Sequence, residues 1–260
     1  MNRKQKYPVN KSKIVENLSY SRMSSYLLFP PSSTEEETIF AYDYMQRLSV
    51  HLFLPLQYLE VVLRNRIYKV LTEHYRWRGK QYRELGKAED WLEWMPSHKD
   101  TQKIITQTKR NLGLFANMPD DLISNLTFGV WVKLLQEYPD TNSHYHFWIF
   151  TQKRLFPNAL GETRQSICTE LKTIRDIRNR LFHYEPIWSG NGINNYVSAI
   201  IEIIKKYKQI MKAISWLSVD IFNLLKRQRH ERELARQSLF YYRILKHTDS
   251  IQKNITELSK

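Results

Sequence analysis

Glycine and proline are scarce in this chain of 260 residues, at 7 and 9 positions, so few sharp turns are available and a sandwich or barrel is disfavoured. The shortage of glycine extends to phosphate-cradling loops. Neither GxGxxG nor GxxxxGK followed by Ser or Thr occurs, which argues against ATP- or NAD-driven chemistry. Cysteine appears once, at Cys168, so no intrachain disulfide and no four-cysteine zinc site can form, and a reducing cytoplasm is the expected location. Long apolar runs are missing too. The longest apolar stretch, 52–63, is broken by Gln57 and Glu60 and falls short of the roughly 20 residues a membrane span needs. Residues 1–13 carry five Lys or Arg and no acid, but no apolar segment follows them, so no secretory signal and no membrane partner are expected. Acidic residues are outnumbered, 26 against 40 Lys and Arg. The formal charge of +14 sets up a long-range field that attracts polyanions, of which nucleic acid is the leading candidate.

What is present is enough apolar residue, 42% of the chain, to bury a sizeable core, and a periodicity that is helical nearly throughout. The expected fold class is all-α. Three divisions follow from composition: a basic N-terminal arm at 1–13, one helical domain at 14–225 and a charged helical C-terminal extension at 226–260. A helix is expected over 14–29, ended by Pro30-Pro31. Ser33-Thr34-Glu35-Glu36 has the form of a capping box, with Ser33 and Glu36 as the reciprocal pair, opening a helix that runs to about His51. The chain should bend near Pro55 and continue with Leu59, Val62, Leu63, Ile67, Val70 and Leu71 on one buried face. Residues 77–112 are hard to place. Further helices are expected over 120–137 and 160–184, the latter ended because Pro186 disfavours helical backbone at Glu185. After a turn at 188–192, a last apolar-periodic helix is expected over 197–225.

Chemistry concentrates in Ile177-Arg178-Asn179-Arg180-Leu181-Phe182-His183-Tyr184-Glu185-Pro186. At about 100° per residue, Asn179 and His183 lie one turn apart on one helix face. Leu171, Ile174, Ile177 and Leu181 form the buried stripe, and Arg178 falls at its edge, where a guanidinium is costly without an anionic partner. Histidine ordinarily titrates near pH 6.5, close enough to neutrality to exchange a proton with a reacting group. RNA cleavage needs that exchange twice, because the attacking 2′-oxygen loses a proton and the departing 5′-oxygen gains one. An arginine fork beside the phosphate would stabilise the charge that develops on its oxygens. No run of carboxylates, His or Cys has metal-ligand spacing, and no cofactor is called for.

The same residues resemble the R-x4-6-H motif of HEPN ribonucleases, and their setting is similar to the Abi-like (abortive infection, AbiD/AbiF-type) family of bacterial anti-phage proteins. The resemblance spans roughly residues 15–205 and is carried by Arg22-Met-Ser-Ser-Tyr26, Glu60-Val-Val-Leu-Arg64-Asn65, Leu126-Thr-Phe-Gly-Val-Trp131, Phe156-Pro157 and the Ile174–Ile187 segment. It implies a HEPN-like helical bundle with additional N- and C-terminal helices and metal-independent endoribonuclease activity. The composite site it implies forms when two copies pair, with Arg178, Asn179 and His183 as the catalytic set. It further implies a role in abortive infection or a toxin-antitoxin system, with a small structured non-coding RNA among the partners.

Around that set, Glu60 and Arg64 are supporting candidates, one turn apart on their helix, pairing with each other or reaching Arg178. Residues 63–69 also match 177–183 in residue type, with Lys69 where the histidine stands, so an internal repeat with one degenerate motif is the other reading. Arg175, Arg180 and Lys69 are candidates for guiding RNA. In the 226–237 stretch, KRQRHERELARQ, a solvated charged face is preferred over a dedicated RNA-binding arm. His144-Tyr-His146 lacks a third ligand and reads as a polar aromatic patch. Phe128, Trp131, Trp148 and Phe150 read as core aromatics and Cys168 as inert packing. Three functions from different classes fit: an endoribonuclease, a non-catalytic module that binds a small structured RNA, and a structural protein whose Arg178 and His183 form a polar network at a dimer interface.

Overall fold

Every regular element among the described residues is a helix, so the expected all-α class is the one the chain adopts. The computed structural model describes residues 9–27, 34–79, 91–94, 99–113, 119–137, 147–190, 192–241 and 243. In chain order the helices are α1 (Lys11–Leu18), α2 (Tyr20–Ser24), α3 (Glu35–Val50), α4 (Phe53–Gly79), α5 (Trp91–Trp94), α6 (Lys99–Leu112), α7 (Pro119–Asn125), α8 (Phe128–Glu137), α9 (Phe147–Leu155), α10 (Arg164–Phe182), α11 (Tyr196–Leu217) and α12 (Val219–Arg227). Residues 230–241 are helical as well.

Several boundaries differ from those expected, and small polar side chains account for most of the differences. The single helix expected from Ile14 is two, because Ser19 turns to φ 69° and its hydroxyl accepts the Arg22 N–H, starting α2 afresh. The capping box lies one residue later than expected. Thr34 and Glu37 form it, the Glu37 carboxylate accepting the Thr34 N–H at 2.8 Å, while Glu36 is drawn off to Lys11. The run Ser-Thr-Glu-Glu-Glu offers the same signature in both registers, so pattern alone could not choose. The break before α4 falls at 51–52. Pro55 then sits in the first turn of α4, where its missing N–H has no partner to lose. Two helices replace the one expected over 120–137, and Ser218 separates α11 from α12 by accepting the Ile221 N–H. Helix α10 starts at Arg164, four residues later than expected, behind the Thr163 hydroxyl that accepts the Ser166 N–H.

The backbone clusters into two compact units that cut across the divisions drawn from composition. The first comprises 1–54, 179–208 and 228–260; the second comprises 55–178 and 209–227. In the second unit, α4 buries Leu59, Leu63, Ile67, Val70 and Leu71 along one face, with Val62 half-buried at its edge. Helix α10 contributes Ile167, Leu171, Ile174 and Ile177, and α8 contributes Phe128, Trp131, Leu134 and Leu135. Each such side chain stabilises the fold by about 1.5–3 kcal/mol relative to exposure. Cys168 is buried among them, its thiol directed at the Leu135 carbonyl. The first unit is built on Met23, Tyr26, Tyr44, Met45, Leu48, Ile187, Trp188, Ile203 and Leu234. The charged 226–237 stretch therefore presents mostly solvated residues but anchors itself through Leu234. Residues 138–146, which include His144 and His146, and the side chains of Trp148 and Phe150 lie outside the described residues.

Candidate functional site at the end of helix α10

Helix α10 closes in a Schellman motif that fixes the backbone of His183. The His183 N–H donates to the Asn179 carbonyl at 3.0 Å, the Tyr184 N–H to Leu181, and the Glu185 N–H reaches back to Arg180 at 2.8 Å. Tyr184 occupies the left-handed position of the motif, at φ 56°, where glycine is usual. Pro186 follows, where a helix can no longer continue. His183 is thus the residue that ends the helix, exposed to solvent, with Asn179 exposed one turn before it.

A second arginine secures this ending from outside. Arg22, in α2, donates from Nη1 to the Tyr184 carbonyl at 2.8 Å and lies 3.5 Å from the His183 carbonyl. Carbonyls at a helix C-terminus lack intrahelical donors and carry partial negative charge, so a guanidinium is a fitting partner. Tyr26, one turn further along the same landmark segment, is buried edge-on to Trp188 at 5.5 Å and accepts a hydrogen bond from Gln46. Burial pushes its phenol up to about 12. Arg180 donates to the Ser189 hydroxyl and carbonyl, tying the helix end to the turn that follows.

In the second unit, Arg178 is about three-quarters buried and has its Nε 3.5 Å from Glu60 Oε2; Glu60 is equally buried, each side chain being under 25% exposed. The other carboxylate oxygen of Glu60 accepts the Phe128 N–H at 3.0 Å. That bond caps α8 and explains why one continuous helix over 120–137 gives way to two: a carboxylate from α4 satisfies the donor that the break exposes. Glu60 therefore turns to Arg178 and α8, while Arg64 donates to the Ser124 carbonyl at 3.3 Å and to Asn65. Arg175 donates to Asp176 from Nε and Nη2, at 3.1 and 2.8 Å, so its charge is matched by its neighbour. Lys69 is exposed on α4. Arg66, in the segment that mirrors 177–183, donates to the Arg154 and Leu217 carbonyls and so closes the ends of α9 and α11. Its burial lowers the stability of its charged form.

The landmark segments quoted above thus meet in two groups. Glu60, Phe128 and Arg178 join in the second unit; Arg22, Tyr26 and the 179–188 stretch join in the first. Neither Arg22 nor Phe182 is marked by the spacing of the 178–183 motif. The signal for Arg22 was its place in a landmark otherwise without function; Phe182, 39% exposed, stacks on Phe53 at 5.3 Å, and its signal was a phenylalanine on the solvent side of an amphipathic helix end. Among the described residues, no three His, Cys, Asp or Glu gather in a group that could hold a metal ion. No family model matches the chain, and no similar protein is found among curated proteins or solved structures.

Proposed function

We propose that the chain is a HEPN-type endoribonuclease that cuts RNA without a metal, with Arg178, Asn179 and His183 as its catalytic set, acting as a homodimer in bacterial anti-phage defence. One observation carries most weight. His183 stands in solvent at a helix end closed by a Schellman motif and bonded from outside by Arg22, so the imidazole is exposed while the backbone that carries it is held. That arrangement suits a proton-transfer group. The 2′-oxygen loses its proton to an imidazole and attacks the adjoining phosphorus; the 5′-oxygen leaves and takes a proton from a second imidazole. Each chain supplies one such histidine, so two copies provide both roles. Arg178 stabilises the phosphorane oxygens, and Glu60 keeps its guanidinium at the edge of the core.

Cleavage of end-labelled single-stranded and hairpin RNA in EDTA tests the reading. Wild-type protein should leave 2′,3′-cyclic phosphate and 5′-hydroxyl ends, and His183→Ala should bind RNA without cutting it. The Arg178–Glu60 pair favours one competing reading, in which Arg178 is a fold-stabilising residue of a protein that binds a small structured RNA without cutting it. If neither wild type nor His183→Ala cuts, and both bind RNA with a steep salt dependence, that second reading replaces the first.

A further inference from the structure

We infer that Phe182 and Phe53 form a stacking platform for an unpaired nucleobase beside His183, so that the substrate is single-stranded RNA whose base, next to the scissile phosphate, is splayed onto the pair. The inference rests on the nuclease reading for its location but not for its test. The two rings lie 5.3 Å apart at 28° to each other, close to parallel, and both are exposed, at 39% and 41%. Each ring keeps about two-fifths of its surface in contact with solvent, an apolar area that a ligand can cover. On α10, rotation of about 100° per residue places Phe182 and His183 on either side of Asn179, so the aromatic surface, the amide and the imidazole share one solvent-facing arc. Asn179 lies within this arc, the Arg22 guanidinium is bonded to the Tyr184 carbonyl just beyond it, and the chain carries +14 overall, so the occupant is an anion with an aromatic part. A nucleotide has both. Any base presents a π-face, and stacking on an aromatic side chain contributes roughly 1–3 kcal/mol per base, equivalent to about five- to 150-fold in affinity. A paired base in an A-form duplex cannot reach such a surface, because its faces are already stacked.

The experiment measures binding rather than cleavage. In a His183→Ala background, affinities are determined for a short single-stranded RNA and for the same strand made abasic at each position in turn. The platform predicts one position where the abasic substitution weakens binding about tenfold. Phe182→Leu should erase that position-specific loss, Phe182→Tyr should keep it, and Phe53→Leu should reduce it. If no abasic position matters in the unsubstituted background, the platform is wrong, and this outcome needs no variant of either phenylalanine to fold. If Phe182→Leu instead shifts the sedimentation of the RNA-free protein toward a smaller species and leaves the abasic profile intact, the rings are a contact between copies and the inference is overturned. Wild type that shows the abasic signature yet cuts nothing retains the platform and removes the nuclease; wild type that cuts without the signature does the reverse.

Discussion

Glu60 is engaged on both carboxylate oxygens, and this makes it the residue whose loss is most telling. One oxygen lies beside Arg178 and the other accepts the α8 amide, in a setting mostly shielded from water. Glu60→Ala leaves an N–H and a guanidinium without their carboxylate, and hydrogen bonds to charged groups contribute about 1.5–3 kcal/mol, so urea denaturation should show a loss of about 2 kcal/mol. Glu60→Gln keeps an oxygen for Phe128 and should lose less. Equal stability of all three proteins would remove Glu60 from the supporting role. Glu170 gives the opposite sign. Burial raises its pKa above the ordinary carboxylate range, the negative Glu162 adding to the effect and Lys212 opposing it. A raised folded-state pKa means the folded protein holds the proton more tightly. The resulting stability is complete below the unfolded pKa and is lost as pH rises through the folded one. Glu170→Gln should therefore be more stable than wild type at neutral pH, with the advantage vanishing in acid; denaturation midpoints across that pH range check it.

At the scale of elements, the end of α10 joins a fold requirement to the proposed functional one. Tyr184 holds a left-handed conformation that costs a non-glycine residue roughly 1–2 kcal/mol, and its side chain is largely exposed. Tyr184→Gly should raise thermal stability by about 1 kcal/mol while leaving the Schellman motif and His183 in place. A loss of stability instead would mean the tyrosine ring packs in a way that outweighs its strained backbone. The long helices were legible because their apolar spacing is redundant: five residues on α4 and four on α10 define a face that no single substitution disguises. The breaks were not, since each depends on one side chain meeting one amide. Ser19 and Ser218 act locally and resemble any other serine, and the split before Phe128 depends on Glu60, 68 residues away in sequence. The candidate site divides in the same way. Arg178, Asn179 and His183 stand within six residues and share a readable spacing, whereas Arg22 meets Tyr184 only after folding, across 162 positions.

For the whole molecule, the decisive question is whether one chain holds a complete site. A single exposed imidazole per motif can donate or accept a proton at one moment but cannot do both within one displacement, so the proposed reaction needs the histidines of two copies. Mixing purified wild type with His183→Ala protein tests this without any structural assumption. If pairs exchange freely and only pairs with two histidines cut, an equal mixture leaves about half of the wild-type chains in active pairs. Activity per wild-type chain should fall to about half, and toward zero as the inactive partner is added in excess. If each chain works alone, the added protein changes nothing beyond competition for substrate, which saturating RNA removes. Salt supplies the control. If the chain binds RNA as proposed, its +14 charge makes that binding sensitive to ionic strength, a protein closing on six to ten phosphates losing roughly 10³–10⁵ in affinity between 50 and 200 mM, whereas pairing of copies through apolar contacts would not be weakened in this way. The inhibition by His183→Ala chains should therefore persist at a salt concentration where RNA binding has already weakened. Inhibition that disappears along with RNA binding would assign it to shared substrate, and the composite site would fall.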